Sequence, residues 1–132
     1  MKFYLSNSLL KELLSGKDRK IVADKLESLI HDGARLYTSV YTIAELMKDL
    51  KPSTSTQWRT VLHLLEVTTE EILPLDKAVL ELVCESKEDS YSLDIEVGVA
   101  LLAGMDQMLI TSQSQSKVSS GLPLRNILSE SF

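Results

Sequence analysis

The stretch that decides the fold is SLDIEVGVALLAGMDQMLITSQ, residues 92–113. Asp94 opens an apolar helical segment in which Ile95, Val97, Val99, Leu101, Leu102 and Met105 make a largely buried helix. Gly98 lets a neighbouring element approach closely, at some cost in helix propensity. Met108, Leu109 and Ile110 then form a short strand, and Thr111 leaves it. A buried helix followed at once by a buried strand is the repeating unit of a sheet covered by helices.

The same alternation extends toward the amino end. Lys2 to Leu5 is a short apolar run suited to an inner strand, and Ser6, Asn7 and Ser8 supply caps for the helix through Leu9, Leu10, Leu13 and Leu14 that Gly16 stops. Asp18 to Ile30 is a second helix, with Ile21, Val22, Leu26, Leu29 and Ile30 at helical spacing before Gly33 interrupts. Arg35 to Ser39 is a buried strand. Thr38 or Ser39 caps a helix that runs to about Leu50 and is ended by Pro52. Trp58, Val61, Leu62 and Leu65 mark the next helix, and Glu71 to Leu75 another strand candidate, bounded by Pro74.

Asp76 to Glu85 reads as a helix, and Ser86 to Ser92 as the loop that delivers the chain to Asp94. Beyond Thr111 the segment SQSQSKVSSG has no apolar period and reads as a surface segment, turn-helix or lid. Leu122, Leu124, Ile127 and Leu128 restore an edge strand. The expected fold class is α/β, a three-layer α/β/α sandwich with a central, mainly parallel sheet, as one domain over residues 1–132.

Composition narrows the function. The 132 residues carry a formal charge of −5 and one cysteine. That fits a single hydrophobic core without a disulfide framework. Neither a secretory leader nor a membrane-length apolar run is present, so the expected location is cytoplasmic. Net negative charge opposes a general grip on nucleic acid, although Lys11, Lys17, Arg19, Lys20 and Lys25 form a local basic group. That group reads first as a solvated helix face. Cys84 reads as a buried small hydrophobe rather than a nucleophile, and His31 and His63 lack a zinc-ligand set. No phosphate-cradling glycine motif is present.

Folds of this class place sites beyond the C-terminal ends of the strands. Ser6, Thr111 and Gln113 follow strands, and Glu45 and Asp94 lie on helices that begin near the same edge, so one cleft is expected to collect them.

Three blocks carry a family resemblance. FYLSNSLLKELLSG (residues 3–16), TSVYTIAELMKDL (38–50) and SLDIEVGVALLAGMDQMLITSQ (92–113) resemble the conserved segments of the PIN domain family in order and spacing. The resemblance implies that Glu45 and Asp94 are active-site carboxylates, and that Ser6 and Gln113 stand where the family usually has Asp. Asn7 and Ser8 fall on the polar residues after the first of these, and Thr111 supports the last; Asp76 has no dependable match.

The family implies a magnesium- or manganese-dependent ribonuclease, often the toxin of a toxin–antitoxin pair and often dimeric. Such chemistry uses clustered carboxylates to hold hard cations against a phosphate. With two of four carboxylates replaced by neutral side chains, Mg or Mn is expected to bind weakly, through Glu45 and Asp94.

Two readings follow. One is a catalytically impaired or inactive domain that acts through protein or RNA interaction, as a homodimer or with an antitoxin-like partner; Tyr37, Tyr41 and Trp58 are candidate dimer contacts, although a core or half-buried place is the plainer reading of each. The other is an Mg/Mn-dependent endoribonuclease of a toxin–antitoxin pair. The plainer account of the two acids makes Glu45 an ordinary helix carboxylate and Asp94 a helix cap.

Overall fold

A computed structural model of the chain describes residues 1–51, 54–88, 94–111 and 121–129. Five strands, β1 (Lys2–Leu5), β2 (Arg35–Ser39), β3 (Glu71–Leu73), β4 (Gln107–Ile110) and β5 (Leu124–Asn126), form one sheet in the order β3-β2-β1-β4-β5. Six helices connect them: α1 (Asn7–Ser15), α2 (Arg19–His31), α3 (Val40–Leu50), α4 (Ser55–Thr68), α5 (Lys77–Glu88) and α6 (Ile95–Leu102).

The expected fold class is corrected at its sheet. A mainly parallel sheet in a PIN-like sandwich leaves room for an antiparallel edge, but all four pairings are parallel. The carboxy-terminal strand enters from the same end as β4, with Met108 opposite Leu124 and Ile110 opposite Asn126. Three further boundaries differ. Ser86 to Glu88 belong to α5 instead of a loop, α6 stops at Leu102, and β3 ends before Pro74, which lacks the N–H a further ladder bond would need. Pro52, the loop residues 89–92 and the SQSQSKVSSG segment up to Ser120 lie outside the described residues.

Strand alternation sorts the side chains into two cores. Phe3, Leu5, Leu36 and Leu109 face α1 to α4, where they meet Leu9, Leu10, Val22, Leu26, Ile43, Leu46 and Leu65. Tyr4, Tyr37, Met108 and Ile110 face the other way, against Val79 and Val83 of α5 and Val97, Val99 and Ala100 of α6. Both faces of β1 and β4 are therefore buried, which explains why these strands read as continuous apolar runs rather than alternating ones.

Local chemistry fixes the turns between layers. Ser6 caps α1 by accepting from the Leu9 N–H, Ser39 caps α3 through the Thr42 N–H, and Thr54 caps α4 through the Gln57 N–H. At the far end of α1, the Glu12 carboxylate folds over Gly16 to accept from the Asp18 N–H at 2.8 Å, and any β-carbon at Gly16 would collide with it. Gly98 is the close approach expected of it: a β-carbon there would touch Val79 and Val83 at 3.3 Å. Among the described residues no helix is long and apolar enough to cross a membrane.

Candidate functional site at the strand ends

The chain runs outward from β1 to β2 and β3, then returns to place β4 and β5 on the other side of β1. The crevice of such a sheet lies between β1 and β4, beyond their carboxyl ends. Ser6 and Thr111 follow those two strands. Here the crevice is stitched together: the Ser6 N–H donates to the Leu109 carbonyl at 3.2 Å, and the Thr111 hydroxyl donates to the Ser8 carbonyl at 2.8 Å. The Thr111 N–H also donates to Ser8 Oγ at 3.2 Å, so Ser8 and Thr111 act on one another rather than on the open cleft.

The amino ends of α1, α3 and α6 converge at this edge, and a buried side chain missed from the sequence joins them. Glu96, in the first turn of α6, is only 6% exposed. Its Oε2 accepts from the Asn7 N–H at 2.8 Å and from the Thr42 hydroxyl at 2.6 Å. Thr42 Oγ1 lies 2.6 Å from the Tyr4 hydroxyl, which lies 2.6 Å from Ser39 Oγ. Each hydroxyl carries one proton. With Thr42 donating to Glu96, Tyr4 donates to Thr42, and the Ser39 hydroxyl, which also reaches Thr42 Oγ1 as a donor at 3.4 Å, donates to Tyr4 at the shorter distance, so the chain ends on the carboxylate. The available signal was a lone charge inside the apolar run from Ile95 to Met105, since a buried acid is seldom left without partners.

The expected acids are close but differently engaged. Glu45 is half-buried on α3 and Asp94 is exposed at the start of α6. Both bear on Tyr41, whose hydroxyl is pushed above its ordinary range first by burial and then by the negative charges of Glu45, Glu96 and Asp94, in that order. The charges of three carboxylates are thus felt at one half-buried phenol. Asp94 Oδ1 accepts from the Val97 N–H at 2.9 Å and so caps α6, the plainer of the two roles weighed for it. Ser6 is fully buried and its hydroxyl is engaged with the Leu9 N–H and Ser8 Oγ. Asn7 enters through its backbone alone among the bonds described, and Gln113 lies outside the described residues.

Several of the donors a hard divalent cation would use are already engaged within the fold. Mg²⁺ takes six oxygen ligands in octahedral geometry, several of them waters, and is held by one or two protein carboxylates. Ser6 offers a neutral, occupied hydroxyl, Asp94 spends one oxygen on the cap, and Glu96 spends one on Asn7 and Thr42. Among the described residues no group of three or more His, Cys, Asp or Glu side chains is arranged to hold a metal ion.

Two predictions arise here. Asn caps as well as Asp, whereas Ala costs about 1 kcal/mol. Asp94→Asn is therefore expected to unfold at the same urea concentration as the parent, and Asp94→Ala earlier; equal behaviour of the two would remove the cap from the account. The second concerns Tyr4, which is fully buried and whose ionisation is pushed far above the ordinary value by burial first and by the Glu96 charge second. Its stabilising share is fully present below the unfolded tyrosine's pKa and is lost as pH rises above it, because the unfolded chain then releases a proton that the folded chain keeps. In a denaturation series above roughly pH 10, Tyr4→Phe is expected to lose stability less steeply than the parent, and parallel slopes would contradict this.

Other expectations fare unevenly. Tyr37 is buried in the sheet and cannot form a dimer surface, while Trp58 is 43% exposed on α4. Cys84 is exposed on α5, a correction to the buried position expected, because it falls on the helix face away from Val79 and Val83. The basic group is not a continuous strip: Lys11 pairs with Asp49 at 3.4 Å, and Lys25 donates to the Ile127 carbonyl at 2.6 Å. Asp76 caps α5 through the Val79 N–H at 3.2 Å.

A second feature of the surface is apolar. Leu13, Ala23, Leu26, Ile30, Leu64 and Val67 line an open groove of about 380 Å³ between α1, α2 and α4, with Glu27 and Thr68 completing its wall. Ile30, Leu64 and Val67 are 47%, 40% and 66% exposed.

No family model and no curated protein matches this chain. Solved structures do match along nearly the whole length. A chain of VapBC2 from Rickettsia felis, bound to a DNA fragment from its promoter, superposes with a TM-score of 0.69 at 17% identity, covering 96% of this chain and 98% of that one. A chain of FitAcB from Neisseria gonorrhoeae gives 0.68 at 18%, covering 97% and 99%. A chain of VapBC-1 from nontypeable Haemophilus influenzae gives 0.64 at 19%, covering 97% and 99%. Identities this low establish the shared fold alone. The PIN-family assignment drawn from the sequence is therefore withdrawn: no model supports it, and the matching chains belong to VapBC and Fit complexes without fixing which component this chain corresponds to.

Proposed function

We propose that this chain is one component of a toxin–antitoxin type pair, working in the cytoplasm by binding a partner protein. The observation that carries the reading is the groove between α1, α2 and α4, where Ile30, Leu64 and Val67 are gathered on one concave surface while each stays partly in water. Exposed apolar surface of this kind, rimmed by polar residues, marks an interaction site. The occupant it fits is an amphipathic helix of the partner, laid with its apolar face between α2 and α4 and its basic residues toward Glu27 and the neighbouring Asp24. The likeness to VapBC and Fit chains, which are known from complexes, supports a protein partner.

The strand-end cleft takes a lesser part in this reading. Its polar groups serve the fold, as caps at Ser6 and Asp94 and as a buried tie at Glu96. A metal-dependent ribonuclease is the second reading, favoured by the grouping of Glu45, Glu96 and Asp94 about Tyr41. Coexpression with the product of each adjacent gene, followed by light scattering, tests the first: a stable complex of defined stoichiometry is expected, and a chain that elutes alone with every neighbour would overturn it. The same measurement on the chain alone reads whether it is a homodimer. Calorimetric titration of Asp94→Asn and the parent with Mn²⁺ decides the second, because the cap survives this change and only the charge is lost. Weak binding at Glu45 and Asp94 that vanishes in the variant would favour the ribonuclease.

A further inference from the structure

We propose that Glu96 is a positioning residue, a resident anion that holds the amino ends of α1, α3 and α6 together at the strand ends and so sets the geometry of the cleft. The inference depends on neither functional reading.

Three observations support it. First, Glu96 is a carboxylate inside a helix whose neighbours Val97, Gly98, Val99 and Ala100 are all buried, yet it is itself 6% exposed. Burial of an acid in such company is tolerated when its charge is met by hydrogen bonds. Second, its two described partners come from two other helices. The Asn7 N–H is one of the orphan donors of α1, and Thr42 lies in the first turn of α3. The carboxylate thus lies at the positive ends of three helix dipoles, α6 included, where negative charge is favoured. Third, the Ser39–Tyr4–Thr42 hydroxyl chain points its last proton at Glu96, so the strands β1 and β2 are referenced to the same atom.

The consequence reaches the cleft. Asn7 follows Ser6, Thr42 precedes Glu45 by one helical turn, and Glu96 lies two residues beyond Asp94. One buried oxygen therefore ties together the helices that carry Glu45 and Asp94. It also occupies with an internal charge the place where an external anion would otherwise be drawn to the helix ends.

The test is removal and rescue. Glu96→Ala is expected to melt roughly 10 °C below the parent, because deleting the carboxylate leaves buried donors without an acceptor. Formate is small enough to enter the space left, so at matched ionic strength it should raise the melting temperature of Glu96→Ala saturably, while chloride does not and the parent responds to neither. A Glu96→Ala protein that melts with the parent, or that formate and chloride affect alike, overturns the proposal. Should Glu96→Ala not fold in either salt, Glu96→Gln decides: the side chain keeps its shape but not its charge, so the Asn7 amide proton resonance is expected to move upfield. An unmoved resonance would show that Asn7 does not bond to a charged oxygen at this position.

Discussion

Leu64→Asp is expected to weaken the complex with the partner protein by more than 100-fold while the fold stays intact. Leu64 lines the α2–α4 groove and is 40% exposed in the chain alone. Surface substitutions away from caps and networks change stability by about 0.5 kcal/mol or less, so the isolated variant should melt close to the parent. In the complex the same position faces the apolar side of a bound helix, and an aspartate there would be desolvated without a counter-charge. Loss of a central anchor costs about 2 kcal/mol or more and an unpaired buried charge adds to it, and each 1.4 kcal/mol is tenfold in Kd. Ile30→Asp should behave in the same way from the α2 side.

The control is Leu80→Asp. Leu80 is 46% exposed on α5, which packs on the opposite face of the sheet, so the substitution adds the same charge without touching the groove. Surface plasmon resonance with the coexpressed partner gives the comparison. Equal losses at Leu64 and Leu80, or none at Leu64, would mean that the groove is not the interface. Because Asp24 and Glu27 lie beside the groove on a chain of net charge −5, association with a basic helix should also slow as salt is raised.

How far the sequence reaches is clearest at the caps. Ser6, Ser39 and Asp94 each stand before an apolar helical run, and each accepts the N–H three residues on. That information is local, carried by residue type and spacing, and Gly98 is equally local in its demand for room. Sheet order and strand direction are not local. The parallel entry of β5 depends on pairing Met108 with Leu124 across a long connection, and no period within residues 121–129 encodes it. Glu96 escaped for the same reason. Its partners stand 89 and 54 residues away, and a helical count on α6 alone shows only an acid two residues from a capping aspartate. The groove was only half legible: Ile30 was read as one of the apolar positions at helical spacing, and periodicity marks an apolar face without saying whether this chain or another covers it.

The hydroxyl chain gives the largest expected change in stability short of removing Glu96. Thr42→Val keeps the shape of a fully buried side chain and deletes one oxygen, which serves Tyr4 and Glu96 together. The Thr42 N–H still donates to Ser39 Oγ, so the cap of α3 survives and the loss is confined to the network. A hydrogen bond to a charged group is worth about 1.5–3 kcal/mol and a stranded buried donor costs about as much again, which places the destabilisation at roughly 3 kcal/mol. Urea unfolding should show this as a lower midpoint with an unchanged slope. Thr42→Ser restores the oxygen and should recover most of it. Tyr4→Phe in the Thr42→Val background should cost less than in the parent, because Tyr4 has already lost the acceptor of its proton. Full additivity of the two changes would mean that Tyr4 and Thr42 act separately, and the directed chain ending on Glu96 would have to be abandoned.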